Sequence, residues 1–334
     1  MKKSRNLAAF CLFFTFALFA LPGRASVLGA YFFAEQVRLN HSGYAQNVID
    51  VEMPWGERCR FSYFHHRSSH DEKRTVVIHG FLDRAITWRQ AIVKIPEGSP
   101  YRKSLILIDL PHHGDSKCAG VNSFSRAETF LEIGLQAVRK RENFKVAGIW
   151  SGSLGGLFGL SLLNTYPEAQ LTMIVPPLLA EPYANLKIQE IATISTREGL
   201  TSFLAKVPPA NRSLPLMNSV VSGLLPRTAL AQQLVKNVDG KRIWSGYQRS
   251  SHPVRIMASQ DDMLLPIAEM DPRYTSNRKT IYRVVDKHCG HSILRYCADE
   301  ATPFLIGDVA SVADTSEHAQ SSASLGAVSA TQGI

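Results

Sequence analysis

The stretch KVAGIWSGSLGGLFGL, residues 145–160, decides the fold. Its first six residues are a short apolar run suited to a strand buried on both faces. Three small residues, Ser151, Gly152 and Ser153, then make a tight turn, and the remainder reads as the start of a helix. Similar runs recur along the chain: TVVIH at 75–79, SLILIDL at 104–110, LTMIV at 171–175, PVRIMA at 253–258 and TIYRVV at 280–285. Helical candidates separate them: 84–95, 125–141 and the segment after Ser153. The 125–141 piece ends in Arg and Lys, which complements the helix dipole. Strand and helix alternate, which predicts an α/β fold with a mostly parallel central sheet. NVIDVEM and RCRFSYF, joined by PWGE at 54–57, read as a hairpin at the sheet edge.

The alternation fails over residues 176–252, a stretch too long for a plain loop. Helical pieces near 185–195, 197–206 and 226–237 predict an inserted helical cap. The core is therefore expected to comprise residues 26–175 and 253–306. The tail, 307–334, is rich in Ser, Ala and Gly without aromatics, and is expected to be disordered.

At the amino terminus, Lys2, Lys3 and Arg5 precede an uncharged apolar run from Leu7 to Leu21, followed by Pro22, Gly23, Arg24 and Ala25. This is the layout of a signal peptide, residues 1–25, and it predicts export to a periplasmic or extracellular location. An uncleaved membrane anchor is the alternative, although the run is short of the roughly 20 residues of a span. Losing those four cations lowers the formal charge from +9 to +5. That mild charge leaves attraction to anionic lipid surfaces open. No basic run is interleaved with aromatics, so nucleic acid is not an expected partner. Cys59, Cys118, Cys289 and Cys297 remain, which allow two disulfides in three pairings. Cys289 with Cys297 is the local option, and Cys59 with Cys118 would then tie an early strand to a loop. Buried free thiols are the alternative.

Two serines compete for attention. A nucleophile on a strand-to-helix elbow needs small residues two positions before and after it, because the turn is tight. Ser153 has Ser151 and Gly155 there, whereas Ser151 has Ile149 and Ser153. Ser153 is thus the better nucleophile, with the amide of Leu154 at a helix amino terminus behind it. VIHGF at 77–81 ends an earlier strand, and the amide of Phe81 is the second oxyanion donor expected.

With HGF at 79–81, DLPHHGDS at 109–116, SGSLGG at 151–156, SQDDMLLP at 259–266 and CGHS at 289–292, the chain resembles the α/β-hydrolase fold family over roughly residues 45–305. The resemblance implies a serine hydrolase with the order Ser, Asp, His. It places the acid at Asp262, with Asp261 as competitor, and the base at His291, with His288 as competitor. Two departures stand out. Ser151 replaces the first glycine of the family's elbow, and His112 stands where the family often has glycine, so that His112 could face the pocket. The histidines at 65–70 and 112–115 lack the spacing to gather three ligands, and neither metal nor cofactor is expected. The activity implied is hydrolysis of a carboxylic ester, of the esterase or lipase type, on a lipid or small molecule. Carbon–carbon hydrolysis, acyl transfer, peptidase action with Glu181, Glu190 or Glu198 reading an amino terminus, and a non-catalytic binding protein stay open as alternatives.

Overall fold

The computed structural model describes residues 27–307, apart from residues 70, 181–182, 210 and 214–216. Residues 1–25, where a signal peptide is expected, and 308–334 of the expected tail lie outside the described residues, as does Glu181. Among the described residues no helix is long and apolar enough to cross a membrane.

Among the described residues, eight strands form one sheet in the order β1-β2-β4-β3-β5-β6-β7-β8. They are β1 (Tyr44–Glu52), β2 (Arg58–His66), β3 (Lys73–Ile78), β4 (Leu105–Ile108), β5 (Lys145–Gly152), β6 (Gln170–Ile174), β7 (Val254–Ser259) and β8 (Thr280–Val285). The expected hairpin, β1 and β2, is antiparallel and forms one edge, and β2 is antiparallel to β4. Every other pairing is parallel. All four residues of β4 are buried, which explains its unbroken apolar run; all six of β7 are buried too, with Arg255 among them lying over the Phe304 ring. Within β3 and β4 the side chains divide by the strand period of two. Val76, Ile78, Ile106 and Ile108 join the core on one face, and Val77, Leu105 and Leu107 join the core on the other.

Helix α1 (Val27–His41) was not legible as an element beforehand. Its signal is Phe32, Glu35 and Leu39, buried at helical spacing on an otherwise mixed segment. Helix α2 (Phe124–Glu142) is capped by Ser123, whose side chain accepts from the Arg126 amide, and it ends at left-handed Asn143. Helix α3 (Gly155–Leu162) follows β5 directly. The helix expected over 84–95 is instead a 3-10 turn (Ala85–Trp88) and a single α-turn (Arg89–Ile92). Ala85, Ile86, Trp88, Ala91 and Ile92 are all buried there.

The expected insertion contains α4 (Tyr183–Thr193), α5 (Arg197–Ala205) and α6 (Met217–Ala231). They share a small apolar core of Ile194, Leu200, Phe203, Val221 and Leu224 with Leu264 and Leu265. The third piece was expected near 226–237. It begins nine residues earlier, and Pro226 lies inside α6 because burial of Val221, Leu224 and Thr228 outweighs one missing hydrogen bond. The boundary at residue 252 also moves. Helix α7 (Gly240–Arg249) packs on α3 of the core, where a Cβ on Gly246 would lie 1.9 Å from the Leu160 carbonyl oxygen. Arg242 of α7 pairs with Glu128 of α2, and Ile243 and Tyr247 sit in the core proper. Helix α8 (Ala298–Ile306) closes the opposite face with Phe304 and Leu305. Disulfides join Cys59 to Cys118 and Cys289 to Cys297.

Candidate active site

The chain passes from β3 to β4 on one side, then returns to place β5 on the other side of β3. Such a reversal opens a crevice at the carboxyl ends of the strands. Gly80 after β3 and Ser153 after β5 meet there. Ser153 occupies the left-handed region at φ 48°, which only a turn fixed on all sides sustains. Its amide donates to the Ile174 carbonyl at 2.9 Å. The small neighbours are contact requirements. A Cβ on Gly80 would lie 2.9 Å from Ser153 Cβ, and one on Gly155 would lie 2.6 Å from the His79 carbonyl oxygen.

Ser153 Oγ lies 2.9 Å from His291 Nε2. His291 Nδ1 lies 2.8 Å from Asp262 Oδ2. The other carboxylate oxygen of Asp262 accepts from the amides of Leu264 and Leu265, each at 2.9 Å. Asp262 is buried, so its orientation is set by these donors rather than by water. The structure thus brings Ser153, Asp262 and His291 into one hydrogen-bonded line. The competing residues go elsewhere. Ser151 is fully buried in β5, and among the described residues its hydroxyl has no partner. Asp261 accepts from Ser259 Oγ at 2.8 Å and from the amides of Cys289 and Gly290 at 3.2 and 2.8 Å. Burial pushes the Asp261 carboxyl up, but those hydrogen bonds outweigh it and hold the group below its ordinary value. Asp261 therefore ties down the loop that carries His291. His288 is exposed and faces Asp261. The Cys289–Cys297 disulfide flanks the same loop, and the His291 amide donates to the Val207 carbonyl of the cap at 3.0 Å.

The loop after β3 is braced from beneath. His79 accepts from the Leu110 amide through Nε2 at 2.9 Å, which leaves Nδ1–H to donate to the Gly80 carbonyl at 2.7 Å. His113 Nε2 accepts from the Leu82 amide at 3.1 Å, and its Nδ1–H donates to the Pro111 carbonyl at 2.8 Å. Burial holds both imidazoles neutral, His113 down to about 4 and His79 well below its ordinary value. Asp109, also buried and pushed up to about 6 by desolvation, accepts from the Ala85 amide and Ser62. The bracing role of these three supports is not read from the sequence. Their signal is the clustering of His and Asp at the ends of two buried strands. His112 does not face the pocket. It sits at φ 66°, where the resemblance puts glycine, and turns its Nε2 to the Val121 carbonyl at 2.8 Å. Among the described residues, the amides of Phe81 and Leu154 donate to no protein acceptor.

Two cavities meet at Ser153. One, of about 220 Å³, is walled by His291 and Leu294, by the loop at Phe81, and by Leu28, Tyr31 and Phe32 of α1. The other, of about 840 Å³, runs beneath the cap between Leu157, Leu179, Ile191 and Trp244.

No family model matches the chain, and no curated relative matches it. Solved structures are similar in fold. One is a lipase candidate from Acinetobacter baumannii AYE, 15% identical, with a TM-score of 0.68, over 88% of this chain and 98% of that one. A bacterial membrane phospholipase A is 16% identical, with a TM-score of 0.56, over 91% of this chain and 98% of that one. A 2-hydroxy-6-oxo-6-phenylhexa-2,4-dienoate hydrolase from Rhodococcus sp. strain RHA1 is 15% identical, with a TM-score of 0.58, over 79% of this chain and 98% of that one. Together with the sheet order, these likenesses show the α/β-hydrolase fold.

Proposed function

On this α/β-hydrolase fold, we propose that the chain is a serine hydrolase that cleaves carboxylic esters through an acyl-enzyme on Ser153. The observation that carries the reading is the hydrogen-bonded line from Ser153 through His291 to Asp262, set beside two uncommitted amides. Neutral His291 takes the Ser153 proton at Nε2 as Oγ attacks the ester carbonyl. Asp262 keeps the Nδ1–H tautomer and stabilises the imidazolium. The amides of Phe81 and Leu154, with the amino terminus of α3, receive the negative charge on the former carbonyl oxygen. His291 returns the proton to the leaving alcohol oxygen. A water deprotonated by His291 then cleaves the acyl-enzyme and frees the acid.

The apolar walls of the larger cavity favour an acyl chain over a peptide. A peptide amino terminus would need an uncommitted carboxylate, and Glu190 is already paired with both Lys187 and Lys206. Glu198 lines neither cavity. The two disulfides and the apolar amino-terminal run support an exported protein. The test is labelling with a fluorophosphonate followed by peptide mapping. The expected adduct is on Ser153 alone, and Ser153→Ala abolishes both the adduct and ester hydrolysis. An adduct on Ser151, or none on folded protein, overturns the reading.

A further inference from the structure

The two cavities are not equivalent with respect to the chemistry, and this difference assigns the two halves of the substrate. The inference rests on the ester-hydrolase reading above. Ser153, Phe81, Phe203 and Leu264 line both cavities. His291 lines only the smaller one, together with Ser292, Leu294 and Arg295. During acylation the ester C–O bond breaks, and the leaving oxygen takes the proton held on His291 Nε2. That transfer requires the leaving oxygen within about 3 Å of the imidazole. The alcohol therefore departs on the side of Ser153 whose wall carries His291. The acyl group, held by the new bond to Ser153 Oγ, extends into the other cavity.

The linings fit this division. The acyl side is almost four times larger, at about 840 against about 220 Å³. Its walls include Leu157, Leu178, Ile191, Ile243 and Trp244; of its three cations, Lys187 is spent on Glu190 and Arg273 on Asp271, and Lys241 is exposed in the first turn of α7. The alcohol side is short because α1 closes it with Leu28, Tyr31 and Phe32. It also carries donors without partners. The side chains of Gln90 and Arg295 line it, and among the described residues neither makes a hydrogen bond or ion pair. The Arg295 guanidinium is instead held 5.6 Å from the Tyr31 ring centroid. The Asp83 carboxylate in the same wall is already committed, to the Arg84 amide and Thr87 Oγ1, each at 2.9 Å. A cavity with unspent donors favours a ligand that brings acceptor oxygens.

We propose that the substrates are esters of a long acyl chain with a compact, oxygen-bearing alcohol of the glycerol type. The chain lies beneath the cap, and the alcohol lies between α1 and the His291 loop, where Gln90 and Arg295 bind its free oxygens. The test compares kcat/KM for two series on the full chain. One varies acyl length from acetyl to oleoyl on a fixed glyceryl ester. The other fixes the acyl group and compares glyceryl with propyl, which has the same carbon skeleton without the extra hydroxyls. The expected result is a preference for glyceryl of about 10-fold, the scale of a hydrogen bond to a charged donor. This measurement needs no variant. Arg295→Met and Gln90→Leu should each pull the ratio toward one and leave the acyl-length optimum in place. Ile191→Trp should shift the acyl optimum to shorter chains and keep the alcohol preference. Equal rates for glyceryl and propyl overturn the alcohol class. Variants that move the opposite series overturn the orientation. Failure of the underlying reading looks different: no ester in either series is cleaved and Ser153 takes no fluorophosphonate.

Discussion

Replacing Asp262 by Asn tests the site at its most constrained point. The carboxylate has two unlike sides. One oxygen accepts two backbone amides at 2.9 Å, and the other faces His291 Nδ1 at 2.8 Å. An Asn carboxamide has one oxygen and one NH₂, so its orientation is decided by those amides. With the oxygen on Leu264 and Leu265 both hydrogen bonds survive. The flipped form loses both and sets donors against donors, at a cost of about 2 kcal/mol or more. That difference keeps well over nine-tenths of molecules in the first form. The NH₂ then donates to His291 Nδ1, which forces the ring proton onto Nε2. Nε2 faces Ser153 Oγ and can no longer accept its proton. The expected loss in kcat is about 10⁴-fold, or about 5 kcal/mol of barrier. Stability should stay within about 1 kcal/mol of the parent, because no buried group is orphaned. Asp261→Asn is the control. Its carboxamide oxygen can keep the donors from Ser259, Cys289 and Gly290, and the expected loss is below about 10-fold. The assay is initial-rate hydrolysis of a p-nitrophenyl ester together with thermal unfolding. Asp262→Asn retaining a tenth of parental kcat, or Asp261→Asn losing as much as Asp262→Asn, would refute the reasoning.

Other outcomes follow from the same geometry. Ser151→Ala should retain near-parental activity and match or exceed parental stability by up to about 1 kcal/mol, since the buried hydroxyl it removes has no partner; denaturant titration and an ester assay check both. Gly80→Ala puts a methyl 2.9 Å from Ser153 Cβ, which pushes back the loop bearing the Phe81 amide. A loss in kcat of about 100-fold or more, with unchanged fluorescence and circular dichroism spectra, is expected. Because burial holds His113 at about 4 against an ordinary 6.5, its contribution to stability is complete above about pH 6.5 and is lost as the pH falls toward 4. Protonation would also end the bond from the Leu82 amide, and His113→Gln should flatten that part of the stability–pH profile measured by urea unfolding.

Much of this protein is readable along the chain because the relevant physics is local. Strands buried on both faces have to be apolar at consecutive positions, so TVVIH and SLILIDL announce themselves. A tight elbow has to have small residues at fixed offsets, which favoured Ser153 over Ser151. The order of Ser153, Asp262 and His291 was legible from the motifs, but the choice of Asp262 over its neighbour was not a local matter. It depends on which carboxylate reaches His291 and which is consumed by the amides of Cys289 and Gly290, across a separation of nearly 30 residues. The cysteine pairing, the seating of α7 on the core and the bracing by His79 and His113 likewise come from contacts between distant segments. Helix α1 shows the limit most clearly. Its sequence carries a weak amphipathic pattern, and nothing along the chain says that Leu28 and Tyr31 meet Arg295 at the wall of one cavity. The sequence determined the strands of the sheet and the chemistry that the loops after them can present. Tertiary packing decided the shape and polarity of the space around Ser153, because a cavity is defined by surfaces that approach one another only after the chain has folded.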